Sequence, residues 1–489
     1  MRLLVLVYFR EVEVYGLENV PTRGGAVIVS WHPNALLDPA LIFAFCPRPV
    51  IFGARHGLFR WPILGTFLRH VGTVPIYRPA DRSSMSDEDR RAANKQSVDT
   101  LARAVADGGI SCLFPEGTSH DAPNLQEFRT GAARLYYRAR FRCDDGQPPP
   151  TILPVGLHYD AKRRFRSHAL VTFHPPLGLP EALDVTPGED DSAQVEAVRN
   201  QALTKCLATS MREVVHPTDS WRLHHQLHRA RSLLRAERSH RAGVELSPPS
   251  MLERQVGFSR MWAGHDAWSA HRPADLARLM DRLRDYDRDL RALDIEDADL
   301  DRPPTRSRPL RVVALFVQVT AVYLVMPALL VLGGVVNLVP YLLLRTATRA
   351  AARHDKDYAT LTMGFGMILY PLSWAVAGYL SSRFATWLHE RYPVVPDSGV
   401  MAAVVVVVLA IVGGMVGIRY ARRLRETARA VRVRLTLARQ RVSIARLRVE
   451  RSELHDALED LMDGMDLPGS VTAAGVARTT EEVPPGGRA

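Results

Sequence analysis

The first segment with residues suited to catalysis is Trp31–Pro39, in which five residues separate His32 from Asp38. A histidine of near-neutral pKa can take a proton from a hydroxyl, and a carboxylate beside it fixes the tautomer and stabilises the imidazolium. The segment directly follows the apolar run Ala26–Ser30. It therefore lies where a predicted strand ends, which is a usual place for functional groups. Taken alone, it is equally compatible with a structural histidine packed beneath a proline turn.

A second polar segment, Phe114-Pro-Glu-Gly-Thr-Ser-His120, follows another apolar run, Ile110–Phe114. Gly117 permits a tight turn, and the backbone amides and hydroxyls of Thr118 and Ser119 could hold an anion. An ordinary strand-to-loop turn is the alternative interpretation.

Two further segments carry less information by themselves. Gly72-Thr-Val-Pro-Ile-Tyr-Arg78 ends a predicted strand with an arginine, which is a good ligand for phosphate but is usually solvated when it stands alone. Ile152-Leu-Pro-Val-Gly156 has the composition of a core strand. Neither segment indicates a function without the other two.

The elements that must position these residues are strands alternating with helices over residues 1 to about 180. This alternation predicts an α/β fold in which helices cover both faces of a mostly parallel or mixed sheet. Helical patterns lie near residues 57–70, 92–107 and 129–141. The predicted strands are Val12–Tyr15, Ala26–Ser30, Val50–Phe52, Thr73–Tyr77, Ile110–Phe114, Ile152–Leu157 and Leu170–Phe173.

Together and in this order, the four segments resemble the motifs of the glycerolipid acyltransferases that make lysophosphatidic and phosphatidic acid. The resemblance covers roughly residues 10–180, and its Phe-Pro-Glu-Gly-Thr segment is the most specific part. The five-residue spacing between His32 and Asp38 departs from the commoner spacing of four, and resembles the fungal-type glycerol-3-phosphate acyltransferases. Pro75 also replaces the aromatic residue of the common pattern. The resemblance implies an α/β acyltransferase domain with a mixed sheet flanked by helices.

The resemblance also implies a role for each matched residue. His32 would be the general base for the acceptor hydroxyl, and Asp38 would orient it. The activated oxygen would attack the thioester of acyl-CoA or acyl carrier protein, without an acyl-enzyme, a metal or another cofactor. The implied substrate-binding residues are Arg78 for the glycerol phosphate, Glu116 and Gly117 for the shape of its pocket, Thr118, Ser119 and Arg129 for the same anion, Gly72 in the arginine motif, and Pro154 in the wall of the site.

Charge and hydropathy separate along the 489-residue chain. Residues 312–344, 359–381 and 399–418 are nearly free of charge, which excludes a wholly soluble protein. The net charge of +11 arises almost entirely from arginine. Because the basic residues flank the apolar segments, they favour a lipid bilayer as partner over nucleic acid. Four cysteines without metal-ligand or disulfide spacing fit a reducing compartment.

The apolar block 312–344 is too long for one straight span. As a single helix it would extend about 50 Å, against a hydrocarbon core of about 30 Å. It also contains Pro327, Gly333-Gly334 and Pro340, which favour a break. The sequence therefore predicts a hairpin or re-entrant pair here, followed by single spans at 359–381 and 399–418.

The basic connection 345–356 and the arginine-rich segment after residue 418 should lie inside by the positive-inside rule. If the catalytic domain is cytoplasmic, an initial hairpin satisfies this rule, because the first apolar block then enters and leaves the membrane on the same side. The membrane expected is a bacterial-type inner or plasma membrane. The N-terminal residues 1–16 are too short to span a bilayer. They fit either an amphipathic starter helix or strand, or a segment that docks at the membrane interface.

These observations predict five regions. One of them, a basic helix at 421–466, has a heptad-like apolar seam, so it could lie along an anionic membrane or pair as a coiled coil in a homo-oligomer. The regions are an acyltransferase domain at 1–185, a helical appendage and linker at 186–308, a transmembrane region at 309–420, a basic helix at 421–466 and a disordered tail at 467–489.

Three functions remain open from the sequence. The first is acyl transfer to glycerol-3-phosphate or to 1-acyl-glycerol-3-phosphate in phospholipid biosynthesis. The second is acyl transfer to another lysophospholipid or polar lipid. The third is a membrane scaffold whose acyltransferase fold is inactive, which the presence of His32, Asp38, Arg78 and Glu116 disfavours.

Overall fold

A computed structural model describes residues 1–77, 86–144, 146–245, 247–301, 309–321, 323, 326–352, 354–396 and 398–479. The chain divides into two compact units. The first unit comprises Met1–His224, Ser250–Gln255 and His354–Thr360, and the second contains the remaining segments. Arg78, the predicted phosphate ligand, lies outside the described residues.

The first unit is built on a seven-stranded sheet. Its strands are β1 (Glu11–Tyr15), β2 (Ala26–Ser30), β3 (Val50–Arg55), β4 (Val74–Ile76), β5 (Ile110–Leu113), β6 (Thr151–Tyr159) and β7 (His168–Phe173). The strand order is β1-β7-β6-β2-β5-β3-β4, and all neighbours are parallel except β6 and β7. The predicted mixed sheet is thereby confirmed. Every residue of β2, in the middle of the sheet, is buried.

Six helices of the described chain accompany this sheet. The sequence did not predict α2, because its buried residues Leu37, Leu41 and Ile42 stand beside further apolar residues and leave no polar stripe to mark a helical period. The helices are α1 (Arg2–Tyr8), α2 (Leu37–Phe45), α3 (Pro62–His70), α4 (Asp87–Ala106), α5 (Gly131–Phe141) and α6 (Ala193–Val215).

The chain after α6 is almost entirely helical within the described residues. Its helices are α7 (Trp221–Arg241), α8 (Met251–His271), α9 (Pro273–Ala292), α10 (Pro309–Thr320), α11 (Met326–Ala351), α12 (Asp355–Arg391), α13 (Gly399–Arg439) and α14 (Arg441–Met462). The block predicted as a hairpin is divided between α10 and α11, just before Pro327. Pro327 lies in the first turn of α11, where proline is tolerated, whereas Gly334 and Pro340 lie inside that helix and do not end it.

The region predicted as one basic helix differs from that expectation. α13 continues without a break from the apolar segment into the basic one and ends at Arg439, and α14 begins at Arg441. Arg451 of α14 is fully buried, with Nε 2.7 Å from Glu237 Oε2 and Nη1 2.8 Å from Asp301 Oδ2. α14 therefore packs inside the second unit through an ion-pair network that its sequence pattern did not reveal.

The predicted disordered tail is ordered over part of its length. Ser470–Val471 pairs antiparallel with Ala477–Arg478 in a small hairpin. Arg260 Nη1 donates to the carbonyl oxygens of Pro468 and Gly469, at 3.0 Å each. These backbone contacts correct the prediction for 467–479, whereas 480–489 lie outside the described residues.

Two helical segments among the described residues, Asp357–Arg391 and Gly399–Arg439, have the length and apolar composition of membrane spans. Large apolar side chains on them are exposed, among them Tyr379 at 64% and Val400 at 80%. Such surfaces suit a lipid environment. Asn337 of α11 makes a polar contact with each of these two helices. Its side-chain amide donates to the Ala410 carbonyl of α13 (2.7 Å), and its side-chain oxygen accepts from the Trp374 indole of α12 (3.1 Å).

Candidate active site

The two polar segments with the clearest motifs meet at one edge of the sheet. β2 and β5 are parallel neighbours, with Val29 opposite Leu113. Their carboxyl ends therefore lie side by side, which is where ligands bind in open α/β sheets. His32 follows β2 by two residues, and Glu116 follows β5 by three.

His32 and Asp38 form the predicted pair. His32 Nδ1 lies 2.8 Å from Asp38 Oδ2, which also accepts a 2.7 Å hydrogen bond from the Asn34 backbone amide. Asp38 is fully buried, so its carboxylate must be satisfied by these protein donors. With the His32 proton directed to Asp38 from Nδ1, the Nε2 lone pair remains available to a substrate hydroxyl. The His32 side chain is 13% exposed and can be reached from solvent.

Tyr159, at the carboxyl end of β6, completes the environment of Asp38. Its hydroxyl donates to Asp38 Oδ1. Burial raises the pKa of Tyr159 well above its ordinary value, and the neighbouring Asp38 carboxylate raises it further. The phenol therefore stays protonated and acts as a donor. Tyr159 could not be identified from the sequence because 121 positions separate it from Asp38, although the parallel pairing of β2 with β6 brings the two strand ends together.

Glu116 holds the His32 loop against the segment after β5. Its Oε2 accepts from the His32 backbone amide at 2.9 Å, and its Oε1 accepts from Gln126 N at 2.9 Å. Oε1 also lies 2.7 Å from His120 Nε2. Glu116 is only 2% exposed. These contacts are those of a positioning residue for His32, and the implied role of Glu116 in shaping an acceptor pocket stays a prediction.

His120 is a second residue to which the sequence assigned no role. Its Nδ1 accepts from the Ala122 backbone amide at 3.3 Å, so Nε2 carries the proton that is donated to Glu116. The His120 amide in turn donates to the His32 carbonyl at 3.1 Å. The two motif loops are thus joined by side-chain and main-chain contacts. His32 also stacks on Phe114, with ring centroids 4.2 Å apart.

The predicted anion ligands after β5 lie close to one another. Gly117 has φ 69°, and a Cβ added there would lie 3.0 Å from Arg129 Cδ. The left-handed backbone conformation therefore favours glycine, and a larger residue would also press against the Arg129 side chain. Thr118 and Arg129 are exposed, and Ser119, which directly precedes His120, is half-buried. This cluster leaves a cationic side chain accessible at the carboxyl end of β5.

The structure does not bring every predicted residue to His32. Gly72 lies in the turn between α3 and β4. Pro154 is inside β6, and its carbonyl accepts from the His174 amide at 3.0 Å. Because side chains alternate along a strand, Pro154 and Tyr159 lie on opposite faces of the sheet. The place of Pro154 in the wall of the site stays a prediction.

Comparisons with known proteins agree with the site. The Acyltransferase family profile matches residues 11–158. The chain is 25% identical over 145 residues to a 1-acyl-sn-glycerol-3-phosphate acyltransferase of Borreliella burgdorferi, covering 30% of this chain and 50% of that protein. It is 37% identical over 73 residues to glycerol-3-phosphate O-acyltransferase 1 of Saccharomyces cerevisiae, covering 14% and 9%.

An uncharacterized acyltransferase of Schizosaccharomyces pombe is 23% identical over 261 residues, covering 37% of this chain and 38% of that protein. The chain thus spans half or less of the length of these relatives. The mixed sheet with a histidine–aspartate pair at its carboxyl edge defines the class as an acyltransferase domain. Residues 11–158 therefore match an acyltransferase domain, and two of the relatives named above are glycerolipid O-acyltransferases.

Tyr159→Phe is expected to lower kcat of the acyltransferase reaction about tenfold to a hundredfold with little change in KM. The substitution leaves a buried carboxylate oxygen of Asp38 without its donor, which typically costs about 1–3 kcal/mol. Steady-state kinetics on the purified protein would measure the effect. Tyr137→Phe is the matched control, because Tyr137 makes a similar hydrogen bond to the Leu183 carbonyl (2.9 Å). Equal kcat values for the two variants would show that Tyr159 does not position Asp38.

Proposed function

We propose that this protein transfers a fatty acyl group from acyl-CoA or acyl carrier protein to a hydroxyl of glycerol-3-phosphate or of 1-acyl-glycerol-3-phosphate. The observation that carries the proposal is His32, held by the buried Asp38 with its Nε2 directed away from that carboxylate. The names of the relatives support a glycerol phosphate acceptor.

In the proposed reaction, His32 Nε2 takes the proton of the acceptor hydroxyl as the oxygen attacks the thioester carbonyl carbon. The imidazolium that forms is stabilised by the Asp38 carboxylate 2.8 Å from Nδ1. The tetrahedral intermediate then collapses, the carbon–sulfur bond breaks, and the sulfur leaves with the proton returned by His32. The products are an ester and a free thiol, so atoms and charges balance without an acyl-enzyme.

The acceptor can be identified directly. Purified protein in proteoliposomes would be incubated with labelled acyl-CoA or acyl carrier protein and with glycerol-3-phosphate, 1-acyl-glycerol-3-phosphate or another lysolipid in turn. Separation of the lipid products shows which hydroxyl is acylated. A labelled product with a glycerol phosphate acceptor supports the proposal. A product with another lysolipid alone, or none with any pair, assigns the chain to a different acceptor class or to an inactive scaffold.

Arg78→Ala is expected to raise KM for the phosphate-bearing acceptor about tenfold to a hundredfold, with a smaller effect on the acyl donor. A charge-assisted contact of arginine with phosphate is worth roughly 1.5–3 kcal/mol. Arg103→Ala, which changes an exposed arginine of α4, is the control. Equal changes in KM for both substrates would remove Arg78 from the acceptor site.

We further propose an integral membrane protein with a cytoplasmic catalytic domain. The two span-like helices and the basic segments that flank them support this arrangement. In a variant without native cysteines, single cysteines near residue 350 and beyond 420 should label from the side of the catalytic domain, and those near 388 from the opposite side. Labelling of residue 350 from the opposite side would mean that the first apolar block crosses the membrane only once.

A further inference from the structure

The first unit carries an apolar surface that the described residues leave exposed. It consists of α1 and the loop 162–166, and it is called the docking face here. Large apolar side chains stand out from it, with Leu3 74%, Val7 52% and Phe165 41% exposed. Clustered exposure of this kind is uncommon on soluble proteins and marks an interaction surface.

The docking face is held rigid by its own contacts. A seven-residue helix is not stable in water by itself, so α1 needs tertiary partners. The Arg166 guanidinium provides one by donating to the carbonyl oxygens of Leu6 (2.9 Å) and Phe9 (3.1 Å), near the end of the helix. Tyr8 provides another, because its ring meets Phe165 edge-on at 5.8 Å. The exposed apolar residues are therefore presented in a fixed arrangement.

The charged side chains of the two segments that form the docking face are all basic, whereas the exposed Glu11 and Asp160 adjoin these segments in sequence. Residues 1–10 and 161–168 contain no aspartate or glutamate. Arg10, Arg163 and Arg164 are exposed on these segments. An apolar centre with an arginine rim matches the interface of a bilayer that contains anionic lipids, where apolar side chains enter the acyl boundary and cations meet the headgroups.

A segment that leads into a span-like helix belongs to the same unit. His354–Thr360 is part of the first unit, and Ala359 within it is fully buried. The membrane-span candidate begins in this segment, at Asp357. The segment from which the chain would enter the bilayer therefore belongs to the same unit as the docking face.

Two side-chain contacts connect the docking face with the active site. Phe9, which follows α1, stacks on Tyr159 with ring centroids 5.8 Å apart, and Tyr159 donates to Asp38. Surface contact would therefore bring the His32 region close to the headgroups. We propose that α1 and the loop 162–166 seat the acyltransferase domain on the anionic surface of the bilayer, independently of which acceptor it acylates.

Depth-dependent quenching in the full chain tests this proposal. The protein without its four native cysteines would carry a fluorophore at Leu3→Cys or Phe165→Cys, and at Val198→Cys as control, since Val198 of α6 is also apolar and 62% exposed. It would be reconstituted in nanodiscs whose lipids carry a spin label high on the acyl chain. We expect quenching of about twofold or more at Leu3 and Phe165, and little at Val198.

The charge contribution is tested in the same preparation. Arg163→Glu combined with Arg164→Glu, or nanodiscs without anionic lipid, should reduce quenching at Leu3 while the protein stays folded and inserted. Absence of quenching at Leu3 and Phe165, or quenching equal to that at Val198, would overturn the proposal. Protection of both positions from aqueous iodide without lipid quenching would also overturn it, because another protein surface would then cover the face. The readout does not depend on catalysis, so loss of acyl transfer leaves it interpretable.

Discussion

Replacement of His32 by alanine is expected to lower the rate of acyl transfer by about 10²- to 10⁴-fold, the usual contribution of a general base. The acceptor hydroxyl loses the Nε2 atom that would take its proton, and Asp38 loses the imidazole that it orients at 2.8 Å. The backbone contact between the His32 amide and Glu116 is kept, so the loop should retain its position. Single-turnover assays with a saturating acyl donor would measure the loss.

His70→Ala is the control for this experiment, because it removes an exposed histidine of α3. The control should keep wild-type activity, and both variants should show the wild-type circular dichroism spectrum and remain in the membrane fraction. If His32→Ala keeps more than about a tenth of the wild-type rate, His32 is not the general base.

Asp38→Asn is expected to have an effect nearly as large, about 10²- to 10⁴-fold on kcat. The Asp38 carboxylate accepts from His32 Nδ1, the Asn34 amide and the Tyr159 hydroxyl. An asparagine has a single acceptor oxygen, so its NH₂ group must face at least one of these donors. If it faces His32, the imidazole proton moves to Nε2 and the base is lost.

The double variant separates this mechanism from simple destabilisation. His32→Ala combined with Asp38→Asn should be no slower than His32→Ala alone, because residues that act as a unit have non-additive effects. Rates that fall by the product of the two single effects would show that Asp38 acts independently of His32. A rate for Asp38→Asn above about a tenth of wild type would show that the tautomer is fixed by other contacts.

The strands were readily predicted because each is a short, mainly apolar run, and a strand buried on both faces can be recognised from such a run without knowing its partners. Ala26–Ser30 and Ile110–Phe114 are such runs, and both are strands within one residue of the prediction. The helical tail was harder to predict, since the burial of Arg451 depends on Glu237 and Asp301, which are distant in sequence.

The sequence by itself determined that His32 and Asp38 could meet, because only five residues separate them in a segment that directly follows a predicted strand. It also determined that the Phe114–His120 motif follows a strand. Only the tertiary structure decided which groups surround this pair. β2 lies between β5 and β6, so Glu116 and Tyr159 reach the His32 loop from strands 84 and 121 residues away along the chain. Local periodicity shows which face of a strand is buried, whereas the neighbours of a strand end depend on the order of the strands in the sheet.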